Sequence, residues 1–164
     1  MHSLGRAVTL GVAVNLAVVL GVAVASLSAQ GTDPRIGTWK LNVAKSKFDP
    51  GPPPQSLMVK VEASGSGEKV STEGVGADGA PTKTGYTANF DGKDYPLMGS
   101  QTADKVSLKR IDARTTDRTD KKDGKVTATL HRVVSQDGKT MTVTVKGTNA
   151  QGQSTNNVLL FEKQ

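Results

Sequence analysis

The sequence predicts an all-β protein, an antiparallel up-and-down β-barrel of about eight to ten strands. Three observations carry this. First, four Asp-Gly pairs (Asp78-Gly79, Asp91-Gly92, Asp123-Gly124 and Asp137-Gly138) each fall between two stretches of strand character. Asp-Gly tolerates the positive φ of a tight type I′ turn, so each pair reads as a hairpin. Second, apolar residues between the pairs recur at every second position, the period of a strand with one buried and one wet face. Third, no long stretch after residue 30 has helical periodicity. Sequential hairpins with one buried face close economically into a barrel, which removes the sheet edges. A two-sheet sandwich fits the same pattern and stands as the alternative.

Residues 1–29 read as a signal peptide. Arg6 supplies a positive start, residues 7–25 are almost wholly apolar, and small residues follow, with cleavage expected after Ala25, Ser28 or Ala29. A membrane anchor is the other reading of so long an apolar run. No basic stop-transfer cluster follows, which favours cleavage. The expectation is therefore a periplasmic or secreted protein with a single domain over residues 30–164. The chain has no cysteine. That excludes lipid attachment at a cysteine, a disulfide framework and thiolate chemistry.

In the expected domain, residues 30–35 read as a flexible entry and Ile36–Leu41 as the first strand. Asn42–Gln55 cannot be a strand, because its prolines lack ladder donors. It reads as an excursion with one helical turn around Val43–Lys47. Strands are then expected over 57–63, with Leu57, Val59, Val61 and Ala63 on one face, and over 69–75. The next spans 82–90, with Thr84, Tyr86, Ala88 and Phe90 together, followed by 95–98 and by 105–111 with Val106, Leu108 and Arg110 together. Arg114–Lys122 has no apolar face and reads as a solvated edge; lining a polar cavity through Thr115, Asp117 and Thr119 is its alternative. The last three are 125–134, 139–146 and 155–161. An outer-membrane barrel is disfavoured, because it needs an outward apolar band with aromatic girdles. Here lysine and threonine dominate one face, and aromatic residues make up 4% of the chain.

The formal charge is +6. Basic residues are interspersed with acidic ones, the pattern of a solvated face. Attraction to an anionic envelope surface is the functional alternative, weak at physiological salt. Nucleic acid is not an expected partner, since few aromatics interleave with the basic residues.

Gly37-Thr38-Trp39 on the first strand resembles the Gly-x-Trp signature of lipocalins, in which the tryptophan closes the barrel floor and an arginine packs on it. The stretch after the signal is also similar to a family of uncharacterised exported bacterial proteins. The resemblance is carried by GTWKLNVAKSKFDPGPPP (37–54), TADKVSLKRIDA (102–113), VVSQDGKTMTVTVKGTNAQGQ (133–153) and NNVLLFEKQ (156–164). It implies a lipocalin-like (calycin-like) barrel and export. The proline-rich stretch departs from the lipocalin pattern of loops.

The candidate ligand-binding residues are Trp39, Tyr86, Phe90, Arg110 and Arg132. Trp39 is the sole tryptophan, a buried anchor that could also floor a cavity. Arg110 and Arg132 fall in phase with apolar neighbours, so both are expected to point inward. A buried guanidinium requires partners, whether a ligand carboxylate, an internal salt bridge, a cation–π contact with Trp39, or a place at the rim. His131 falls on the polar face and is expected at the surface. It is the only histidine after the expected signal peptide; one histidine without cysteine makes no common zinc site, and no Gly-x-Ser-x-Gly elbow accompanies it. The Asp-Gly pairs lack the ligand series of a calcium loop. No metal, cofactor or enzymatic activity is expected. The function expected is binding of a small apolar or amphipathic ligand. The alternative is an envelope-associated interaction protein with a solid core that touches anionic polymer or another protein.

Overall fold

The computed structural model describes residues 33–164, and the signal-peptide reading lies outside them. Ten antiparallel strands run β1 (Gly37–Leu41), β2 (Ser56–Ser64), β3 (Gly67–Val75), β4 (Pro81–Asn89) and β5 (Tyr95–Met98). They continue with β6 (Lys105–Arg110), β7 (Thr115–Lys122), β8 (Lys125–Val134), β9 (Thr140–Thr148) and β10 (Ser154–Lys163). Each pairs with the next, and β1 pairs with β10, so the sheet closes into an up-and-down barrel. The expected barrel is the observed one, and the sandwich alternative falls away. The expected helical turn is a single 3-10 turn over Val43–Lys45, capped by the Asn42 side chain accepting from the Lys45 amide.

The hairpins are less uniform than the Asp-Gly pairs imply. In Asp123-Gly124 both residues have positive φ, 49° and 77°, as a type I′ turn demands. At the other three pairs only glycine is left-handed. There the aspartate carboxylate accepts a main-chain N–H two residues on, from Ala80, Lys93 and Lys139. These are wider turns pinned by the side chain.

The excursion over residues 42–55 has a structural task. β1 covers only one end of β10, through Trp39↔Lys163 to Leu41↔Phe161. Beyond Leu41 the excursion takes over the free edge. Asn42 donates to the Leu160 carbonyl, Lys47 exchanges both bonds with Val158, and Asn156 donates to the Asp49 carbonyl. The seam is thus closed by backbone hydrogen bonds on a segment that proline keeps from being a regular strand.

Two expectations are corrected. Arg114–Lys122 is not an edge: β7 lies between β6 and β8. Its inward residues are Thr116, Arg118 and Asp120, in opposite phase to Thr115, Asp117 and Thr119. The entry segment is not loose at its end, because Arg35 is 2% exposed. Trp39, Val61, Ala88, Val106, Leu108, Val134, Met141 and Phe161 are among the most deeply buried residues of the core. These residues lie toward the end where β1 begins, and Arg35 seals that end.

Candidate ligand cavity

A cavity of about 190 Å³ occupies the barrel interior between the packed end and the end where β1, β3, β7 and β9 finish. Seven strands line it: Leu57 and Val59 on β2, Val70 and Thr72 on β3, and Thr84 and Tyr86 on β4. Thr116 and Arg118 come from β7, Leu130 and Arg132 from β8, Met141 and Val143 from β9, and Leu159 and Phe161 from β10. Strand alternation presents these residues, two per strand at every second position. Along β3, β4, β8 and β10 burial falls toward the same end. Val70, Tyr86, Arg132 and Phe161 are buried, while their partners toward the open end, Thr72, Thr84, Leu130 and Leu159, are half-buried. The cavity therefore has a packed floor and a mouth at the end that carries the excursion.

The floor is polar as well as aromatic. Glu68, 1% exposed, accepts from Arg132 Nη2 at 2.8 and 2.6 Å and from the Tyr86 hydroxyl at 2.8 Å. Arg35 approaches the same carboxylate at 3.8 Å and donates to the Thr116 hydroxyl at 2.9 Å. On the cavity wall Arg118 forms a two-point pair with Asp120 and stacks over the Tyr86 ring, its guanidinium carbon 4.9 Å from the centroid. Buried charges in such two-point pairs recover much of the hydration they lose. One donor remains unspent: Arg132 Nε is buried with no hydrogen-bond partner among the described residues.

Protonation states follow from this packing. Burial disfavours ionising Tyr86, and the adjacent Glu68 carboxylate adds to that. Arg118 and Arg132 pull the other way without prevailing, so the phenol is held well above the usual tyrosine range. For Arg132, burial alone would lower the pKa. Tyr86 and Glu68 more than offset it, and the guanidinium stays charged. At the sealed end, burial acts to raise Asp33, but hydrogen bonds from Arg35 outweigh it and hold the carboxyl below its usual range.

Of the five residues singled out from sequence, Tyr86 and Arg132 line the cavity. The other three lie outside it. Trp39 is completely buried in the core, with its indole N–H donating to the Arg35 carbonyl at 3.0 Å. The cation over its ring is Lys163, at 5.0 Å, and not an arginine. Phe90 sits beneath Arg35 and Arg110, at 4.6 and 5.9 Å. Arg110 keeps the inward phase of Val106 and Leu108, but β6 ends there. Its side chain lies at the rim, 41% exposed and 3.3 Å from Asp33. His131 is at the surface, as expected, with Nδ1 2.6 Å from Asp117 on the outer face.

The sequence reading missed Glu68, Thr116, Arg118 and Asp120. Their signal was alternation: Glu68 is in phase with Val70, and Thr116, Arg118 and Asp120 share one face of β7. A wider groove of about 730 Å³ crosses the outer surface over Lys69, Lys83, Pro96 and the exposed Met98. It gathers no comparable set of converging polar groups.

No family model matches this sequence. No curated protein matches it. Solved structures resemble the chain, two of them as follows. One is a zebrafish ileal bile acid-binding protein in complex with cholic acid, at 11% identity and TM-score 0.47, with 80% of this chain and 99% of that one covered. The other is the siderocalin Ex-FABP, described as having dual ligand specificities, at 14% identity and TM-score 0.35, with 81% and 75% covered.

Proposed function

We propose that this chain is an exported binding protein that holds one small molecule inside its barrel, and that it does no chemistry on it. The observation that carries this is the cavity itself. Small barrels usually fill their interiors with side chains. Here aliphatic side chains stop short of one another while two guanidiniums and a phenol are arranged on the wall and floor. Apolar walls with a few fixed polar groups are the pattern of a ligand site. The sole histidine of the barrel lies on the outer face and away from the cavity, which supports binding rather than catalysis.

The volume limits the occupant. An engineered cavity of about 150 Å³ takes benzene, whereas sites for drug-sized ligands span roughly 300–1,000 Å³. About 190 Å³ suits a single ring with a short substituent, or a short aliphatic chain. A long acyl chain does not fit.

The test is native mass spectrometry of protein purified from its host, with amide NMR of the barrel titrated with benzene. Amide shifts confined to the cavity strands are expected, and Leu159→Phe, which narrows the mouth, should abolish them. No co-purified species together with no benzene response would overturn the reading. N-terminal sequencing of the exported form tests the compartment, and an intact Met1 would overturn export.

A further inference from the structure

We infer that the cavity selects an uncharged ligand with a hydrogen-bond acceptor, a carbonyl or ether oxygen on a small apolar body, and discriminates against carboxylates of the same shape. This rests on the reading of the cavity as a binding site and narrows its ligand class.

Two arginines on a cavity wall suggest an anion site at first sight. Their partners argue otherwise. Arg132 is neutralised by Glu68, with both carboxylate oxygens within 2.8 Å. Arg118 is neutralised by Asp120 in a two-point pair. Arg35 is held by Asp33. Arg110, the remaining cation nearby, sits 41% exposed at the opposite rim on the same Asp33. The groups around the cavity thus cancel, Arg35, Arg118 and Arg132 against Asp33, Glu68 and Asp120.

An anion entering this balanced set would lose its hydration and gain no uncompensated cation. It would also lie close to two buried carboxylates that already hold the donors. A neutral acceptor gives up far less hydration. It still meets guanidinium N–H groups, whose bonds to neutral oxygens are strengthened by the charge. Arginine carries five N–H donors and no acceptor. Arg132 spends one nitrogen on Glu68, and its Nε is unpartnered among the described residues. The wall hydroxyls of Thr72, Thr84 and Thr116 add polarity without charge. A wholly apolar molecule would leave those donors facing it unpaired, which is also unfavourable.

Three isosteres separate the cases: ethylbenzene, acetophenone and benzoate, titrated by calorimetry into the protein as purified from its host. Acetophenone is expected to bind about tenfold or more tightly than benzoate, and more tightly than ethylbenzene. Glu68→Gln keeps the shape and an acceptor for Tyr86 and Arg132 but removes the compensating charge. It should shift the preference toward benzoate, and Asp120→Asn should do the same at Arg118. Folding of each variant is read from far-ultraviolet circular dichroism. Benzoate binding as tightly as acetophenone to the unaltered protein would overturn the inference while leaving a ligand cavity intact. So would ethylbenzene matching acetophenone. If none of the three binds, the cavity reading itself fails.

Discussion

Arg132 on β8 and Glu68 on β3 meet across the barrel interior, 64 residues apart in sequence, with one guanidinium nitrogen donating to both carboxylate oxygens. Neither residue has another full opposite charge as close, since Arg35 stands 3.8 Å from Glu68. The pair joins two sides of the barrel that share no backbone hydrogen bonds.

Breaking the pair on one side should therefore cost more than removing it altogether. Glu68→Ala leaves Arg132 buried and uncompensated, an expected loss of about 3–5 kcal/mol. Arg132→Met alone leaves Glu68 stranded, at a similar cost. The double variant Glu68→Leu with Arg132→Met should recover much of the loss, because buried pairs replaced by apolar side chains are often near neutral. Urea unfolding with an unchanged slope measures each value. Simple additivity of the two single losses would contradict the pairing.

Trp39 carries the packed end. Its ring is completely buried and its N–H is spent on the Arg35 carbonyl. Trp39→Ala should cost about 3–5 kcal/mol. Trp39→Phe should cost less, losing one hydrogen bond of about 1 kcal/mol and part of the ring contact. Because Trp39 is the sole tryptophan, its emission reports this end alone. Binding in the cavity should leave its blue-shifted maximum nearly unmoved, whereas denaturation should shift it strongly red.

Alternation located the barrel and half of the cavity. Tyr86 and Arg132 were legible because their strands keep strict phase with buried neighbours. Arg110 comes to the rim, one of the placements its sequence left open, because phase says which face a residue shares, not how near it lies to the strand's end. Val126 shares the phase of Arg132 yet is exposed, because the β7–β8 register shifts beside Asp120. A bulge turns every residue beyond it to the other face. Strand β7 was read as an edge because polar residues on both faces resemble solvent exposure. Its inward charges satisfy each other locally, Arg118 with Asp120 two positions on, and the Thr116 hydroxyl between them and the sealed end accepts from Arg35. Glu68 answers to a partner 64 residues away, and no local pattern announces that.

Two glycines with the same left-handed backbone should respond very differently to alanine. At Gly124, φ is +77° and an added Cβ meets nothing within 4 Å. The cost there is backbone strain alone, about 1–2 kcal/mol. At Gly99, φ is +76° but the Cβ would lie 2.0 Å from the Lys83 carbonyl oxygen. Strand β5 pairs with β4 through only two residue positions, Met98 and Leu97, so displacing it there should open the sheet locally. Gly99→Ala is expected to cost clearly more than Gly124→Ala in thermal unfolding. It should also speed amide exchange along β5, which Gly124→Ala should not. Equal losses with no exchange difference would refute the close approach.

Stability should fall on the alkaline side through Tyr86. Its folded pKa is raised above the ordinary tyrosine value of 10.0 by burial and by Glu68, so the folded state holds the phenolic proton more tightly than the unfolded chain. The contribution is fully present below about pH 10 and is lost as pH rises from there through the folded pKa. Asp33 works in the opposite sense. Its folded pKa lies below 3.8 because the Arg35 bonds outweigh burial. That stability is present above the unfolded value and is lost as pH falls below it. Urea midpoints measured from pH 3 to 11 (about the range the barrel's carboxylates and phenols span) test both. Tyr86→Phe removes the titrating group while keeping the ring under Arg118, so its alkaline slope should be shallower than that of the unaltered protein above pH 10. Matching slopes would mean that Tyr86 titrates freely and that the Glu68 network does not hold its proton.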